Sequence, residues 1–238
     1  MDRNVAIIGA SGAIGNAFVE YYSKDESVKT VYACSRNKQS YDNDRIQSLE
    51  LDIENQESIK NVAEKINGNF LDHIIIATGI LHSRSFGPEK SIKDINHNNM
   101  AKVISINTIG PSLVGRYFIP LLRKDAKSVI AFLSARVGSI SDNKLGGWYS
   151  YRASKSALNQ IVKNFSIELK RTNPKAIVLA LQPGTVDSNL SEPFKRNVAP
   201  GKLFTPEQSR ELLSNVIENA TTNDSGNLLA FDGETISP

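Results

Sequence analysis

The sequence has little cysteine and no long apolar run, and both absences narrow what the protein can be. A single cysteine, Cys34, among 238 residues excludes an internal disulfide and a zinc site built from cysteines, and no metal site is predicted. The longest apolar run, Ala176–Leu181, has six residues, whereas a helix that crosses a bilayer needs roughly 20. The chain enters a predicted strand directly after Met1–Asn4, so no signal peptide is expected.

An excess of charge of one sign is also nearly absent. The 28 Lys and Arg residues exceed the 25 Asp and Glu residues by only three, and the basic residues are scattered along the chain. So small a net charge gives no reason to expect nucleic acid or a membrane as a partner. Apolar residues make up 40% of the chain and charged residues 22%, which is typical of globular proteins. We predict a soluble, cytoplasmic protein with one domain over residues 1–238.

Short apolar segments alternate with amphipathic ones along the whole chain. Seven segments are rich in β-branched residues and mostly apolar throughout, which predicts strands covered on both faces: Val5–Ile8, Val31–Cys34, Leu49–Leu51, Ile74–Ala77, Val129–Leu133, Ala176–Leu181 and Leu228–Phe231. The predicted helices are Ile14–Tyr22, Glu57–Ile66, Asn99–Leu122 (broken near Gly110-Pro111), Ser150–Arg171 and Glu207–Asn219. This alternation predicts an α/β, Rossmann-like, doubly wound parallel sheet of about seven strands with helices on both faces.

Two segments lack the pattern of a helix or a strand. Gly138–Gly147 is rich in Gly, Ser, Asn and Asp, which predicts a loop. Asp187–Phe204 contains two prolines, a glycine and two phenylalanines. Loops of this length in compact domains are usually functional or disordered. We interpret residues 187–204 as a mobile lid over a substrate site.

A glycine-rich turn joins the first predicted strand to the first predicted helix. Its residues are Gly9, Ala10, Ser11, Gly12, Ala13, Ile14 and Gly15. Glycines at this spacing let the backbone approach a pyrophosphate, while the helix N-terminus offers free N–H groups and the positive end of its dipole. A turn that merely connects strand to helix is the alternative. The strand–turn–helix context favours dinucleotide binding.

The end of the second predicted strand indicates which dinucleotide binds. An NAD site places an acidic residue on the ribose diol about 20 residues past the glycines. Here that position carries Ser35 and Arg36, and no acid follows before Asp42. A guanidinium is well suited to bind a phosphate dianion, so the sequence favours NADP(H) over NAD(H). A plain surface arginine is the alternative.

Tyr151 and Lys155 lie four residues apart, on one face of a predicted helix. A nearby cation stabilises a phenolate, which suits general acid–base work near neutral pH. With them, the chain resembles the short-chain dehydrogenase/reductases over essentially its full length, in the short single-domain subtype. The motifs stand in family order: Gly9–Gly15, Asp52, Ala77-Thr78-Gly79, Asn107-Thr108-Ile109-Gly110, Ser134, Tyr151–Lys155 and Pro183–Ser188. Leu133–Lys155 and Gly201–Glu207 look more narrowly like the C-factor-like branch, whose namesake is linked to cell–cell signalling.

The resemblance implies a role for each matching residue. Tyr151 would protonate the carbonyl oxygen as hydride arrives, Lys155 would lower the tyrosine pKa and hold the nicotinamide ribose, and Asn107 would anchor a proton-relay water. Ser134 would orient the substrate. The cofactor-binding set would comprise these residues: Gly9, Ser11, Gly12, Ala13, Ile14, Gly15, Ser35, Arg36, Asp52, Ile53, Ala77, Thr78, Gly79, Tyr151, Lys155, Pro183, Val186 and Ser188.

The chain departs from the family pattern at three places. Ala13 replaces the usual middle glycine before the isoleucine, and Ala77-Thr78-Gly79 replaces Asn-Ala-Gly. The family's substrate-orienting serine is the second of a Ser-Ser pair, where this chain has Ser134-Ala135. Because a shift of one residue turns a strand side chain to the other face, Ser134 serves only if the backbone bulges. Ser139 and Ser141 in the following loop are the alternatives.

We therefore expect an NADP(H)-dependent oxidoreductase acting on a small carbonyl or alcohol. The alternative is an NADP(H)-binding regulatory or cell–cell signalling protein with little turnover, which Ala135 favours. Trp148, Phe194 and Phe204 either line an apolar substrate pocket or simply cover the domain, and His82 lies either in a solvated loop or against a polar substrate. By analogy with the family, the chain is expected to form a homodimer or homotetramer.

Overall fold

The computed structural model describes residues 3–66 and 68–238, apart from the side chain of Asn197. Met1 and Asp2, on which the expectation about a signal peptide rests, lie outside the described residues. Ten strands are described: β1 (Arg3–Ile8), β2 (Val28–Ser35), β3 (Ile46–Glu50), β4 (His73–Ile76), β5 (Ser128–Leu133), β6 (Ala176–Gln182), β7 (Thr185–Val186), β8 (Leu203–Phe204), β9 (Leu228–Ala230) and β10 (Thr235–Ile236).

Eight of these strands form one sheet in the order β10-β9-β6-β5-β4-β1-β2-β3. The seven predicted strands are all in it and all pair in parallel, which confirms the predicted Rossmann-like α/β fold. The eighth strand, β10, adds to the edge in antiparallel register through Thr235 and Ile236. The sequence pattern does not predict β10 because a two-residue strand is too short to show any periodicity.

Helices cover both faces of the sheet, and the alternating strand residues separate two cores. They are α1 (Ala13–Lys24), α2 (Gln56–Ile66), α3 (His97–Ile104), α4 (Gly110–Phe118), α5 (Tyr149–Thr172) and α6 (Pro206–Asn219). Ala6 and Ile8 of β1 face the core under α2, α4 and α5. Val5 and Ile7 face the opposite core, under α1 and α6. A strand buried on both faces must be apolar throughout, as the sequence of β1 is.

The predicted helix Asn99–Leu122 is interrupted earlier than the sequence suggests. The chain forms α3, then a wide π-helical turn over Ser105–Ile109, then α4 and a 3₁₀ turn at Ile119–Leu121. Gly110 and Pro111 begin α4, where the missing N–H of a proline in the first turn costs little. The irregular turn therefore contains Asn107 itself, and π turns in helices frequently mark functional sites.

The predicted lid contains regular structure. A parallel two-stranded sheet of β7 and β8 joins its two ends, since Thr185 pairs with Leu203 and Val186 with Phe204. A 3₁₀ segment, Glu192–Asn197, lies between them. In the stretches 3–66 and 68–238, no helix combines the length and the hydropathy needed to cross a membrane.

Candidate active site

The glycine-rich turn packs so tightly that two of its glycines admit no side chain. Gly9 has a φ of +92°, and a Cβ there would lie 3.0 Å from both Ala77 and Thr78. A Cβ on Gly15 would lie 2.2 Å from the carbonyl oxygen of Gly9. Gly12 precedes the first turn of α1 and provides no side-chain cap, and that turn contains no acidic residue. The helix end therefore keeps its donors and its positive dipole for an anion.

A cleft of about 300 Å³ opens at the carboxyl ends of the central strands. Ten predicted cofactor-binding residues line it: Gly9, Ser11, Gly12, Ser35, Arg36, Asp52, Ile53, Ala77, Thr78 and Gly79. The hydroxyl oxygen of Thr78 is buried there, and none of the described residues forms a hydrogen bond with it. Because buried polar atoms are normally paired, this orphan hydroxyl fits a missing ligand group. Together with the tight glycine turn, these residues fit a dinucleotide.

Five further residues, which the sequence analysis did not single out, also line the cleft: Ile8, Leu51, Glu54, Ile80 and Ile106. Four of the five are apolar and adjoin predicted site residues, so adjacency to Gly9, Asp52, Gly79 and Asn107 was the available signal. Ala13, Ile14 and Gly15 of the predicted set lie in α1 rather than on the cleft wall. Gly15 contributes by letting α1 approach Gly9.

The edge of the cleft at β2 and β3 carries the charged candidates. Arg36 is exposed, and no carboxylate of the described residues lies within ion-pair distance of its guanidinium. The Ser35 hydroxyl donates to the Asn37 carbonyl at 2.8 Å. An Asp52 carboxylate oxygen accepts from the Glu54 backbone N–H at 3.0 Å, which fixes the loop that carries Ile53. The Arg36 guanidinium is thus free to bind a phosphate.

Tyr151 and Lys155 are both buried on the inner face of α5. The Lys155 ammonium donates to the Leu133 carbonyl at 2.8 Å and lies 5.7 Å from the centre of the Tyr151 ring. Burial raises the pKa of Tyr151 to about 12 and lowers the pKa of Lys155 to about 8. The resemblance implied a lowered tyrosine pKa. In the structure, loss of hydration on burial raises this pKa instead, so the phenol stays protonated at neutral pH.

Asn107 joins the π turn to the loop after β4. Its Oδ1 accepts from the Ile80 N–H at 2.8 Å, and its Nδ2 donates to the Ile80 carbonyl at 2.8 Å and to the Ser154 hydroxyl at 3.0 Å. A Cβ on Gly79 would lie 3.6 Å from Asn107 Oδ1 and 3.7 Å from Lys155 Nζ. Asn107 and Lys155 therefore meet beside the cleft, at Gly79.

The candidate substrate-orienting serines are all bonded to protein groups. The Ser134 hydroxyl donates to Asn159 Oδ1 at 2.7 Å, and its N–H bonds the Leu181 carbonyl at 2.8 Å, so the backbone continues the ladder without a bulge. Ser139 is buried and accepts from the Asp142 N–H at 3.1 Å. The Ser141 hydroxyl donates to the Pro238 carbonyl at 2.5 Å. A role for Ser134 in orienting substrate stays a prediction.

An aromatic wall forms beside Tyr151. The Trp148 ring centre lies 6.2 Å from that of Tyr151 and 5.0 Å from that of Phe194 in the lid. His82 Nε2 lies 3.0 Å from the Asn189 carbonyl oxygen, so the loop after β4 holds the lid in place. Phe204 is not part of this wall. It packs on Phe231 with ring centres 4.9 Å apart.

The residues predicted to seat the carboxamide follow β6. The Pro183 carbonyl accepts from the Ser209 hydroxyl at 2.8 Å, and Val186 is buried in β7. The Ser188 hydroxyl donates to the Val186 carbonyl at 3.3 Å. The side-chain oxygen of Gln182, at the end of β6, is buried and has no hydrogen-bond partner in the part of the chain that the structure describes.

The chain matches the family model described as short chain dehydrogenase over residues 3–199. It is 33% identical over 187 residues to 1-hydroxy-2-glutathionyl-2-methyl-3-butene dehydrogenase of Rhodococcus sp. strain AD45, covering 77% of this chain and 76% of the relative. It is 31% identical over 147 residues to the C-signal of Myxococcus xanthus, covering 61% of this chain and 82% of the relative.

Solved structures agree on the fold. The NADPH-bound carbonyl reductase from chicken fatty liver superposes with a TM-score of 0.87 at 24% identity, covering 100% of this chain and 99% of the other. The carbonyl reductase Sniffer of D. melanogaster gives 0.87 at 20% identity and covers 100% of both chains. The resemblance found in the sequence is confirmed, and the chain belongs to the short chain dehydrogenase family of oxidoreductases.

Proposed function

We propose that this protein is an NADP(H)-dependent oxidoreductase that reduces a carbonyl group, with Tyr151 as the general acid. The observation that carries the proposal is the buried group of Tyr151, Lys155 and Asn107 beside the cleft. The glycine-rich turn of that cleft has no room for a side chain at Gly9 or Gly15. NADPH supplies the hydride when bound. Gly9–Gly15 would hold its pyrophosphate, Asp52 and Ile53 its adenine, and Pro183, Val186 and Ser188 its carboxamide.

The protonation state of Tyr151 favours reduction over alcohol oxidation. Because burial keeps its pKa near 12, the phenol carries its proton at neutral pH and donates it to the carbonyl oxygen as that oxygen gains charge. Lys155, whose pKa burial lowers to about 8, is still mostly charged at pH 7. Its ammonium stabilises the phenolate that remains and would hold the nicotinamide ribose hydroxyls.

Arg36 supports the proposed preference for NADP(H). The guanidinium stands at the carboxyl end of β2 with no acidic partner among the described residues, so it keeps its donors for a 2′-phosphate. No acid of the chain occupies the adjoining positions 35–37, where a carboxylate would repel that phosphate.

The aromatic wall supports a small, largely apolar carbonyl compound as the substrate. Trp148 and Phe194 are in contact beside Tyr151, and the lid segment 187–204 would close over the compound. Closing an apolar wall over the reacting group excludes water from the hydride and proton transfers.

We further propose that the chain forms a homodimer or homotetramer. Ile109, the last residue of the π turn before α4, and Ile167 on α5 expose 51% and 53% of their surface. Packing these helices against a second copy would remove this apolar area from water. Sedimentation of the purified protein at micromolar concentration tests this proposal, and a monomer would contradict it.

The enzymatic proposal is tested by NADPH oxidation across a panel of aldehydes, ketones and quinones. We expect turnover with at least one member and a loss of about 10²- to 10⁴-fold in kcat for Tyr151→Phe, because the proton donor is removed and the ring stays. Tyr149→Phe, two residues earlier on the same helix, is the matched control and should keep kcat. Equal turnover in both variants would show that another group donates the proton.

A second candidate function is an NADP(H)-binding regulatory or cell–cell signalling protein with little turnover. It is favoured by the identity to the C-signal of Myxococcus xanthus and by the engagement of Ser134 and Ser139 with protein partners. Cofactor titration beside the substrate panel distinguishes the two functions. Tight NADPH binding with no turnover of any panel member would favour the second.

A further inference from the structure

The helix that carries Tyr151 begins without a cap of its own. Trp148 precedes α5 at φ 52° and ψ 43°, and its side chain makes no capping hydrogen bond. Among the described residues, Trp148 is the only non-glycine with a positive φ. The first turn of α5 also contains no acidic residue. A helix end without a cap of its own needs a partner from elsewhere in the chain for its backbone N–H groups. The positive φ also places a bulky residue in a strained conformation.

A carboxylate from a distant part of the chain takes the place of this missing cap. Glu89, in the loop after β4, is buried. One of its oxygens accepts from the Ser150 backbone N–H at 3.2 Å, and the other accepts from the Ser150 hydroxyl. The Glu89 backbone carbonyl accepts from the Trp148 N–H at 2.6 Å. Glu89 therefore bonds both Trp148 and Ser150, and Ser150 directly precedes Tyr151.

No cation of the described residues lies within ion-pair distance of Glu89. A buried carboxylate without a cationic partner is costly unless hydrogen bonds and a helix dipole compensate for lost hydration. The N-terminus of α5 provides both kinds of compensation. Because the Glu89 carboxylate depends on these hydrogen bonds, the first turn of α5 is held at one position relative to Glu89.

We propose that Glu89 is a positioning residue for the reaction, which rests on the function proposed above. By fixing Ser150 and Trp148, Glu89 sets the direction of the Tyr151 hydroxyl and places the Trp148 ring against Tyr151 and Phe194. A displacement of about 1 Å at a reacting group can cost about 100-fold in rate. The cofactor cleft is lined by none of Glu89, Ser150 and Trp148, so its affinity for NADPH should be unaffected.

The identity of residue 89 matters because both carboxylate oxygens are used. Glutamine keeps one acceptor at the same reach and loses the second acceptor and the charge, whereas alanine loses both acceptors. Removing the Ser150 hydroxyl deletes one of the two donors and keeps the backbone N–H. The expected order of kcat is therefore wild type, then Glu89→Gln and Ser150→Ala, then Glu89→Ala.

The experiment measures kcat, KM, NADPH dissociation constant and tryptophan emission for these variants. Trp148 is the only tryptophan, so emission and acrylamide quenching report directly on the end of α5. Glu64→Ala, at an exposed glutamate of α2, is the matched control and should leave every quantity unchanged. For Glu89→Ala we expect kcat per bound cofactor to fall about 10- to 100-fold, NADPH affinity to stay within about twofold, and Trp148 to become more accessible to acrylamide.

The double variant Glu89→Ala/Ser150→Ala should lose no more kcat than Glu89→Ala alone, because both changes remove the same contact. If Glu89→Ala does not fold, Glu89→Gln and Ser150→Ala carry the test. Unchanged kcat and unchanged quenching in those two variants would overturn the proposal, as would a loss of NADPH affinity equal to the loss of kcat. If the wild type turns over no carbonyl, the proposed function fails, and the quenching measurements still decide whether the Glu89 side chain, through Ser150, fixes the start of α5 next to Trp148.

Discussion

The two cationic side chains of this site differ in exposure, because Arg36 is exposed to water and Lys155 is buried. Arg36 is exposed and unpaired by any described carboxylate, so it is available for a ligand. Lys155 is buried on the Leu133 carbonyl, and burial lowers its pKa to about 8. Tyr151 beside it keeps its proton. The proposed cofactor preference therefore depends on Arg36, and the proposed proton transfer depends on Tyr151.

Arg36→Ala should remove the preference for NADPH over NADH. One bidentate charge-assisted contact is worth about 1.5–3 kcal/mol, which corresponds to roughly 10- to 150-fold in dissociation constant. Titration of both cofactors into both proteins measures the effect, with Arg171→Ala, an exposed arginine at the end of α5, as the control. Equal affinities for the two cofactors in the wild type would contradict the assignment.

The serine that orients the carbonyl can be identified by three substitutions. If Ser134 performs this role, its hydroxyl must leave Asn159 Oδ1, and Ser134→Ala should lower kcat without changing NADPH affinity. The loss should be somewhat smaller than the roughly 2.7–4 kcal/mol of an oxyanion-hole donor. Ser139→Ala is the parallel variant for the alternative serine.

Ala135→Ser, which restores the family pattern, should then change kcat little because the role is already filled. The contrary result would be unaffected turnover in both alanine variants together with a sharp rise for Ala135→Ser. That result would identify an impaired site and favour the regulatory or signalling function.

Among the helices and turns, the π turn between α3 and α4 places Gly110 against the side of the cleft that is predicted to hold the adenine. Gly110 begins α4 directly after this turn and touches the loop that carries Ile53. A Cβ on Gly110 would lie 2.5 Å from Ile53 Cγ1 and 2.7 Å from the Ile53 carbonyl oxygen. Because one of these atoms is backbone, the loop has to move to admit a side chain.

Gly110→Ala should therefore lower both stability and cofactor affinity. Overpacking of this kind typically costs about 1–3 kcal/mol, and the displaced loop is the one predicted to contact the adenine. Gly87→Ala is the control, since a Cβ there meets nothing within 4 Å. Urea unfolding and NADPH titration of both variants measure the two effects. An unchanged NADPH affinity would show that the loop relaxes without disturbing the adenine site.

In the molecule as a whole, the two ends of the parallel strands carry different groups. The cleft lies at the carboxyl ends of the strands. At their amino ends, a network of charged groups joins neighbouring strands, helices and loops. Arg3 bonds Asp25 at 2.6 Å and Glu218 at 2.8 Å, and Asp72 pairs with Arg123 at 2.5 Å. These contacts link β1, α1 and α6 near the buried residue His73.

His73 should make the folded state sensitive to acid. Its Nδ1 lies 2.9 Å from the Tyr22 hydroxyl, and burial lowers the His73 pKa to about 4. An unfolded histidine titrates near 6.5, so the unfolded chain binds this proton first as the pH falls. Stability is unaffected by His73 above about pH 6.5 and is lost progressively between pH 6.5 and 4.

His73→Asn keeps an acceptor for the Tyr22 hydroxyl and removes the titrating ring. The free energy of unfolding, measured in urea between pH 4 and 8, should fall less steeply with acid in this variant, by on the order of a few kcal/mol. His97→Asn, an exposed histidine at the start of α3, is the control. Identical pH slopes for wild type and His73→Asn would show that groups other than His73 account for the acid sensitivity.

Local sequence spacing was enough to predict the seven parallel strands of the main sheet, the glycine turn, and the placement of Tyr151 and Lys155 on one helix. Each of these rests on residues close in the chain, whose spacing is set by the geometry of a strand, a turn or a helix. The family motifs also predicted cofactor-binding residues, and ten of these line the cleft.

The partners of these side chains became clear only in the folded chain. The Ser134 hydroxyl turns to Asn159, Phe204 turns to Phe231 and away from Trp148, and Glu89 caps a helix that begins 60 positions later. These partners are far apart in the chain, and no local spacing encodes them. They are chosen by packing, because each buried polar group must find a partner and each apolar ring a surface wherever the fold brings one within reach.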